Sequence, residues 1–265
     1  MSDPHLPAEM LDHIVDHLHD TEDALRNCCL VSKSWVPRTR KYLFADVNFR
    51  TVADLQSWKE TFPDPSISPA HYARDLIVGC PEDVAGVDAE AGGWIRGFSR
   101  VVHLDVGGRN DLFREFTIPI VPYHGLSPTL KSLRVTAPAL PSSHIFDLIL
   151  SFPLLEDLAL AVSSILVDNG DGPEGVEMST TTQSSSSPVF SGTLDLYLRA
   201  GTRSFARRLL SLQSSIHFRK LTLMWLREED LSMITILVEE CSHTLESLNI
   251  TSDLGKPIWH LPPHQ

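Results

Sequence analysis

The sequence predicts a mixed α/β chain in which a short helical unit precedes a long array of strands and helices. Three observations predict it. Segments with apolar residues at every second position recur between residues 74 and 250, helical patterns lie between several of them, and the first fifty residues carry apolar side chains at helical spacing instead.

The helical unit comes first. Leu11, Ile14, Val15 and Leu18 line one face of a helix, while Asp12, His13, Asp16 and His17 fall on the other. Pro7 suits the first turn, where its missing N–H costs nothing, and Glu9 lies near the positive end of the helix dipole. Thr21 is the expected N-cap of a second helix, with Ala24 where a capping box has Glu, and with Leu25, Cys28, Cys29 and Leu30 on its apolar side. Ser32 is expected to cap a third helix that carries Trp35, holds Pro37 in its first turns and reaches Leu43 and Phe44. Leu25, Cys28 and Leu43 are assigned to the core. Three helices within roughly forty residues bury too little apolar surface to stand alone, so such a unit gains from a partner.

Leu6-Pro7-Ala8-Glu9-Met10-Leu11 and Leu30-Val31-Ser32-Lys33-Ser34-Trp35, at this separation near the N-terminus, resemble an F-box. The run from Val31 through Val36-Pro37-Arg38 is similar to the F-box openings of mushroom-forming fungi. The resemblance implies a three-helix F-box over residues 1–50 that docks on the Skp-type linker subunit, and through it on the cullin, of a ubiquitin ligase. Carried over by position, it assigns packing on the linker or holding of the helices to Leu6, Pro7, Leu11, Ile14, Leu18, Leu30, Val31 and Trp35. Trp35 is the expected anchor, because truncating a buried interface indole often costs at least ~2 kcal/mol.

The alternating segments are 74–78, 101–106, 130–135, 155–160, 193–196, 220–223 and 245–250. Taking one leucine from each gives Leu76, Leu104, Leu133, Leu158, Leu194, Leu221 and Leu248, at steps of 28, 29, 25, 36, 27 and 27 residues. Helical patterns run from Ser143 to Phe152, from Thr202 to Ile216 and from Glu228 to Cys241. A unit of that length cannot bury its own apolar face and must stack on the next. The period resembles that of leucine-rich repeats, which implies an α+β/α/β chain whose residues 51–265 form an irregular leucine-rich-repeat-like solenoid of short parallel strands and helices. The Asn or Cys of a regular repeat, five residues after the second leucine, is replaced here by Pro81, Arg109, Pro138, Ser163, Arg199, Leu226 and Asp253, so no polar ladder is expected. The longest step contains Asp168-Asn169-Gly170-Asp171 and a Ser/Thr-rich run ending at Pro188, and residues 168–188 are expected to be a disordered loop. The spacing of its acids does not fit an EF-hand calcium loop.

Composition narrows function. The chain has 22 basic and 34 acidic residues, a formal charge of −12, which opposes nonspecific nucleic-acid binding. Arg199, Arg203, Arg207 and Arg208 are the one basic cluster, expected to lie on a solvated helix face. The four cysteines, with no C-x-x-C, favour a reducing compartment, and no apolar run reaches membrane-spanning length. An intracellular protein of the cytoplasm or nucleus is expected, with no nucleic-acid or membrane partner. No hydrolase, zinc-protease or phosphate-loop motif is present, Gly92-Gly93 and Gly107-Gly108 read as turns, and His13 and His17 lack an identifiable third metal ligand. No cofactor, metal or catalytic residue is assigned. The F-box resemblance thus implies a non-catalytic adaptor that brings a target protein to the ligase, the target meeting outward strand residues such as Arg134, Asp195, Thr222 and Asn249. The alternatives are an F-box scaffold or decoy without ligase function and a hydrolase built from scattered acids and histidines.

Overall fold

The computed structural model describes residues 7–64, 66–79, 94–107, 126, 128–166, 190–212, 216–252 and 257–260. Leu6, Cys80, Pro81, Gly92-Gly93, Gly108, Arg109, the segment 168–188, Asp253 and the tail from Leu261 lie outside them.

Three helices open the described chain: α1 (Ala8–His17), α2 (Glu22–Val31) and α3 (Val36–Leu43). Their shared interior is small and consists of Val15, Leu25, Cys28 and the hydroxyl-bearing Thr39. Leu43, expected in the core, is only half-buried. Thr21 stands at the N-cap of α2 without a side-chain hydrogen bond. Ser32 is not the cap of α3. It ends α2 in extended conformation and accepts the Ser34 N–H at 3.3 Å, so the chain turns through residues 32–34 and α3 starts one turn later, with Pro37 inside its first turn.

The described residues that follow build one nine-stranded sheet with strands in sequence order. The strands are β1 (Asp46–Phe49), β2 (Asp75–Val78), β3 (His103–Val106), β4 (Ser132–Pro141), β5 (Asp157–Leu166), β6 (Thr193–Ala200), β7 (Lys220–Leu226), β8 (Ser247–Ser252) and β9 (Pro257–His260). β1 to β8 run parallel and β9 pairs antiparallel with β8.

The leucine period becomes a register. Leu76, Leu104, Leu133, Leu158, Leu194, Leu221 and Leu248 are successive Cα partners, with Val47 of β1 extending the row. Two residues on, Phe49, Val78, Val106, Val135, Leu160, Leu196, Leu223 and Ile250 form a second row, and both rows are buried. Ala73, Val101, Leu130, Leu155 and Phe218, three residues before their leucines, add buried side chains beneath. A one-residue slip of any strand would turn this entire set to the other face, so the pattern specifies the pairing.

With no Asn ladder, the turns entering the strands are tied by main chain. The Ala45 carbonyl accepts the N–H groups of both Arg74 and Asp75, that of Arg74 accepts Val102 and His103, and that of Val102 accepts Lys131 and Ser132. Lys131, Gly192 and Arg219 carbonyls repeat the arrangement towards the next turn. At β6 one of the two donors is diverted, and Thr193 N–H goes to Asp157 Oδ1 at 2.6 Å.

Among the described residues four more helices pack behind the strands: α4 (Val52–Thr61), α5 (Ser142–Leu150), α6 (Thr202–Ser211) and α7 (Leu231–Cys241), with 3-10 turns at 69–72, 94–97 and 228–230. Their buried residues, including Leu55, Phe146, Phe205 and Leu237, belong to the same core as the strand rows. α4 starts with a capping box in which Thr51 Oγ1 accepts the Asp54 N–H and Asp54 accepts the Thr51 N–H. α6 starts at Gly201, in left-handed conformation at φ 89°, which has no side chain to cap it. The buried Asp230 does so from the next unit, accepting Arg203 N–H at 3.1 Å and Arg227 N–H at 3.2 Å. The expected helix to Ile216 ends at Ser211, and the one expected from Glu228 opens as a 3-10 turn.

An aromatic cluster joins the two parts. The Trp58 ring lies 4.9–5.8 Å from the rings of Phe44, Phe49, Phe62 and Phe98, so the end of α3, β1 and α4 share one packed junction. β1 and its buried Phe49 therefore pack with the sheet, although they fall within the first fifty residues. Among the described residues, no helix is long and apolar enough to cross a membrane.

Candidate functional site

Among the described residues, two surfaces present side chains outside the packed core. The first is on the N-terminal helices. α1 turns Val15 inward and leaves Met10 and Ile14, one turn apart, 53% and 38% exposed. α2 turns Leu25 and Cys28 inward and ends on Leu30 and Val31, 85% and 69% exposed. Leu11, Leu18 and Trp35 are half-buried and Pro7 is exposed at the N-cap of α1. Of the eight residues assigned to linker docking, Ile14, Leu30 and Val31 are thus apolar and free, Leu11, Leu18 and Trp35 are shared between interior and surface, and Leu6 lies outside the described residues. Met10, which is not among the eight, sits four residues before Ile14 on the same helical face.

Polar contacts add to the small apolar interior of these helices. Arg38 Nε and Nη2 donate to Asp16 Oδ1 and Oδ2 at 2.7 and 2.5 Å, and the Tyr42 hydroxyl donates to Asp16 Oδ1 at 2.7 Å. The Arg38 hydrogen bonds, and then that of Tyr42, hold the Asp16 carboxyl well below the usual carboxylate range; the same contacts raise Arg38 and Tyr42. Thr39, fully buried, donates to the Trp35 and Val36 carbonyls, and the Cys29 thiol lies 2.9 Å from its hydroxyl. Trp35 is therefore fixed at the start of α3 by its main chain. Burial, and then the neighbouring Cys29, pushes the Cys28 thiol up, and burial does the same to Cys241, so both stay protonated at neutral pH.

The second surface is the outer face of the sheet. Asp105, Arg134, Ala159, Asp195, Thr222 and Asn249 form one row of strand partners between the buried rows. The four residues expected to face outward thus fall in one line, with Ala159 between Arg134 and Asp195. Further along β6 and β7 the row gives way to an aromatic platform. Tyr197 meets Trp225 edge-on at 6.3 Å between centroids, and the Arg199 guanidinium lies 5.3 Å from the Trp225 ring centre. Trp225 sits at φ 61°, where the register slips between Leu223 and Leu226. A bulky side chain is strained there by about 1–3 kcal/mol, and the bulge is what aims the indole at Arg199.

The arginine cluster is not one patch. Arg199 is held on Trp225, while Arg208 lies 4.9 Å from the Phe146 ring centre and donates to Ser142 Oγ at 3.2 Å. His13 and His17 are exposed on the polar side of α1. Among the described residues, no three His, Cys, Asp or Glu side chains gather as a metal site would require. No protein-family model matches the sequence. No curated protein matches it either.

Proposed function

We propose that residues 1–50 are an F-box and that the chain is the substrate-recognition adaptor of a Skp/cullin-type ubiquitin ligase, its sheet a set of degenerate leucine-rich repeats that holds the target. The observation that carries this reading is the inverted character of the N-terminal helices. Leu30, Val31, Met10 and Ile14 are left to solvent while little more than Val15, Leu25 and Cys28 is buried, and Leu30 and Val31 belong to the L-V-x-x-x-W motif itself. Large apolar side chains exposed on so small a unit are what an unoccupied docking surface presents. The sheet adds the second half of an adaptor. Tyr, Trp and Arg are the residues that most often carry binding energy at interfaces, and Tyr197, Trp225 and Arg199 stand together on its outer face. The adaptor performs no bond chemistry. It raises the local concentration of a target lysine near a ubiquitin-loaded enzyme held by other subunits.

Calorimetric titration of the purified chain with a fungal Skp-type linker tests the reading. Submicromolar binding is expected, weakened about thirtyfold or more by Leu30→Asp, a change at an exposed residue that leaves the fold intact. Absence of binding by folded wild-type protein overturns the adaptor, and reconstituted target ubiquitination separates a working adaptor from a decoy.

A further inference from the structure

A cleft of about 450 Å³ opens where the N-terminal helices meet the sheet, between α3 and the 3-10 turn at 69–72. Its lining is basic in a chain of net charge −12: Arg38, Lys41, Arg74 and Arg100 face it, against the single carboxylate of Asp12. Arg38 is committed to Asp16, with Asp12 at 3.8 Å from its remaining nitrogen. Lys41, Arg74 and Arg100 form no ion pair among the described residues, and they reach the cleft from three separate places in the chain.

Two of these cations are held on rigid main chain. Arg74 donates its N–H to the Ala45 carbonyl at 2.7 Å, and its own carbonyl accepts Val102 and His103 at 2.7 and 3.0 Å, so it is locked into the turn ladder that enters β2 and β3. Lys41 lies in the last turn of α3, its ammonium 5.4 Å from the Tyr42 ring centre. Tyr42 and Tyr72 give the cleft aromatic walls, the latter packed on His71 with 4.0 Å between ring centroids.

We infer that this cleft binds a small molecule carrying a phosphate monoester. Two guanidinium forks and an ammonium on one cleft, with Asp12 the one carboxylate among its described lining residues, suit a tetrahedral dianion with several acceptor oxygens. The tyrosine walls suit the organic group attached to it. The volume is that of a small-molecule site, which ranges over about 300–1,000 Å³, and is too small for the footprint of a folded partner. With the chain strongly negative, long-range attraction does not favour an anion, so binding depends on these few contacts and falls when one is removed. This inference stands apart from the F-box reading, and the outcome of one does not decide the other.

The test is calorimetric titration of the full chain with glycerol 2-phosphate, O-phosphoserine, inorganic phosphate and sulfate, and with a phosphoserine peptide. Submillimolar binding of the small esters is expected, with Arg74→Gln and Arg100→Gln each weakening it about tenfold or more. Arg207→Gln, exposed on α6, should leave it unchanged. The urea unfolding midpoint of each variant checks the fold, which depends on the Arg74 main chain and not on its side chain. No binding of the small esters at millimolar concentration, equal binding of sulfate and esters, or indifference to both cleft substitutions overturns the inference. Binding of the peptide alone, lost in both variants, overturns the small-molecule assignment in favour of a phosphorylated segment of protein.

Discussion

Leu194 and Asp195 are adjacent on β6 and lie on opposite faces, which makes their comparison a direct test of the register. Leu194 is fully buried and sits between Leu158 and Leu221 in the central row, whereas Asp195 is the partner of Ala159 and Thr222 in the outer row. Truncating a buried leucine removes its transfer energy and leaves a cavity; the parallel strands on either side cannot close in without breaking their own pairing. Leu194→Ala should therefore cost about 3 kcal/mol, within the range of about 2–5 kcal/mol for such changes. At roughly 2–4 °C per kcal/mol for a domain of this size, the thermal midpoint should fall by about 6–12 °C. Asp195→Ala, which removes polar atoms from the half-buried outer row and leaves no cavity in the core, should stay within about 0.5–1 kcal/mol. Urea unfolding followed by far-UV circular dichroism reads both. Equal losses at the two positions would refute the reasoning, because a sheet with these rows cannot be indifferent to which face is truncated. A larger loss at Asp195 would mean the strand is slipped by one residue.

Two further expectations follow from particular contacts. Gly107 ends β3 at φ 128°, and a Cβ there would lie 2.0 Å from the Thr136 carbonyl oxygen of the adjacent strand, so Gly107→Ala should destabilise by at least about 2 kcal/mol; Gly97→Ala, whose Cβ would meet only Ala70 Cβ at 3.6 Å, should change stability by less than about 1 kcal/mol in the same urea titration. Asp16 has a carboxyl depressed by Arg38 and Tyr42, so its stabilising contribution is complete above the unfolded carboxylate value of about 3.9 and is lost as pH falls through the lower folded value. The stability difference between wild type and Asp16→Asn, measured by urea midpoints across pH, should be constant near neutrality and shrink below about pH 4; a difference that grows on acidification would contradict the clamp.

How much of this was legible depended on whether the signal was local. Seven strands announced themselves because each carries two apolar residues at a spacing of two, and the steps between their leucines set the register before any pairing was known. β1 escaped because Asp46-Val47-Asn48-Phe49 is too short and polar to stand out, and β9 because it opens on a proline. β4 and β5 run twice as far as their apolar cores suggested, through Thr136–Pro141 and Ala161–Leu166, where long pairing with each other outweighs weak local preference. α4 does carry a local signal, the Thr51-x-x-Asp54 box. The rest was not local at all. Asp16 reads as a solvated acid until the chain returns with Arg38 and Tyr42, 22 and 26 residues later, and nothing in Arg227-Glu228-Glu229-Asp230 says that its last member caps a helix starting at Thr202.

The contrast between the two parts of the chain bears on the proposed docking. The sheet is stabilised by repetition, each buried row extended by the next strand and each entering turn tied by the carbonyl before it. Among the described residues the N-terminal helices have no such neighbour on their outer side. Their interior is short of apolar volume, and the Asp16 carboxylate, with Arg38 and Tyr42 bound to it, holds α1 to α3 in place of the missing packing. A clamp of that kind fixes geometry at modest net gain in stability, since a half-exposed ion pair is screened by water. Covering Leu30, Val31, Met10 and Ile14 would recover about 1.5–3 kcal/mol for each side chain taken fully from water, less for those already part-covered. Under the proposed function, a partner that seals this surface would supply the core that the helices lack, and the clamp would hold α1 and α3 set for it beforehand. The free helices should accordingly show faster amide hydrogen exchange than the sheet, and exchange in α1 and α2 should slow on addition of the linker while that in β4 to β6 stays unchanged. Protection gained in the sheet but not in the helices would place the docking surface elsewhere.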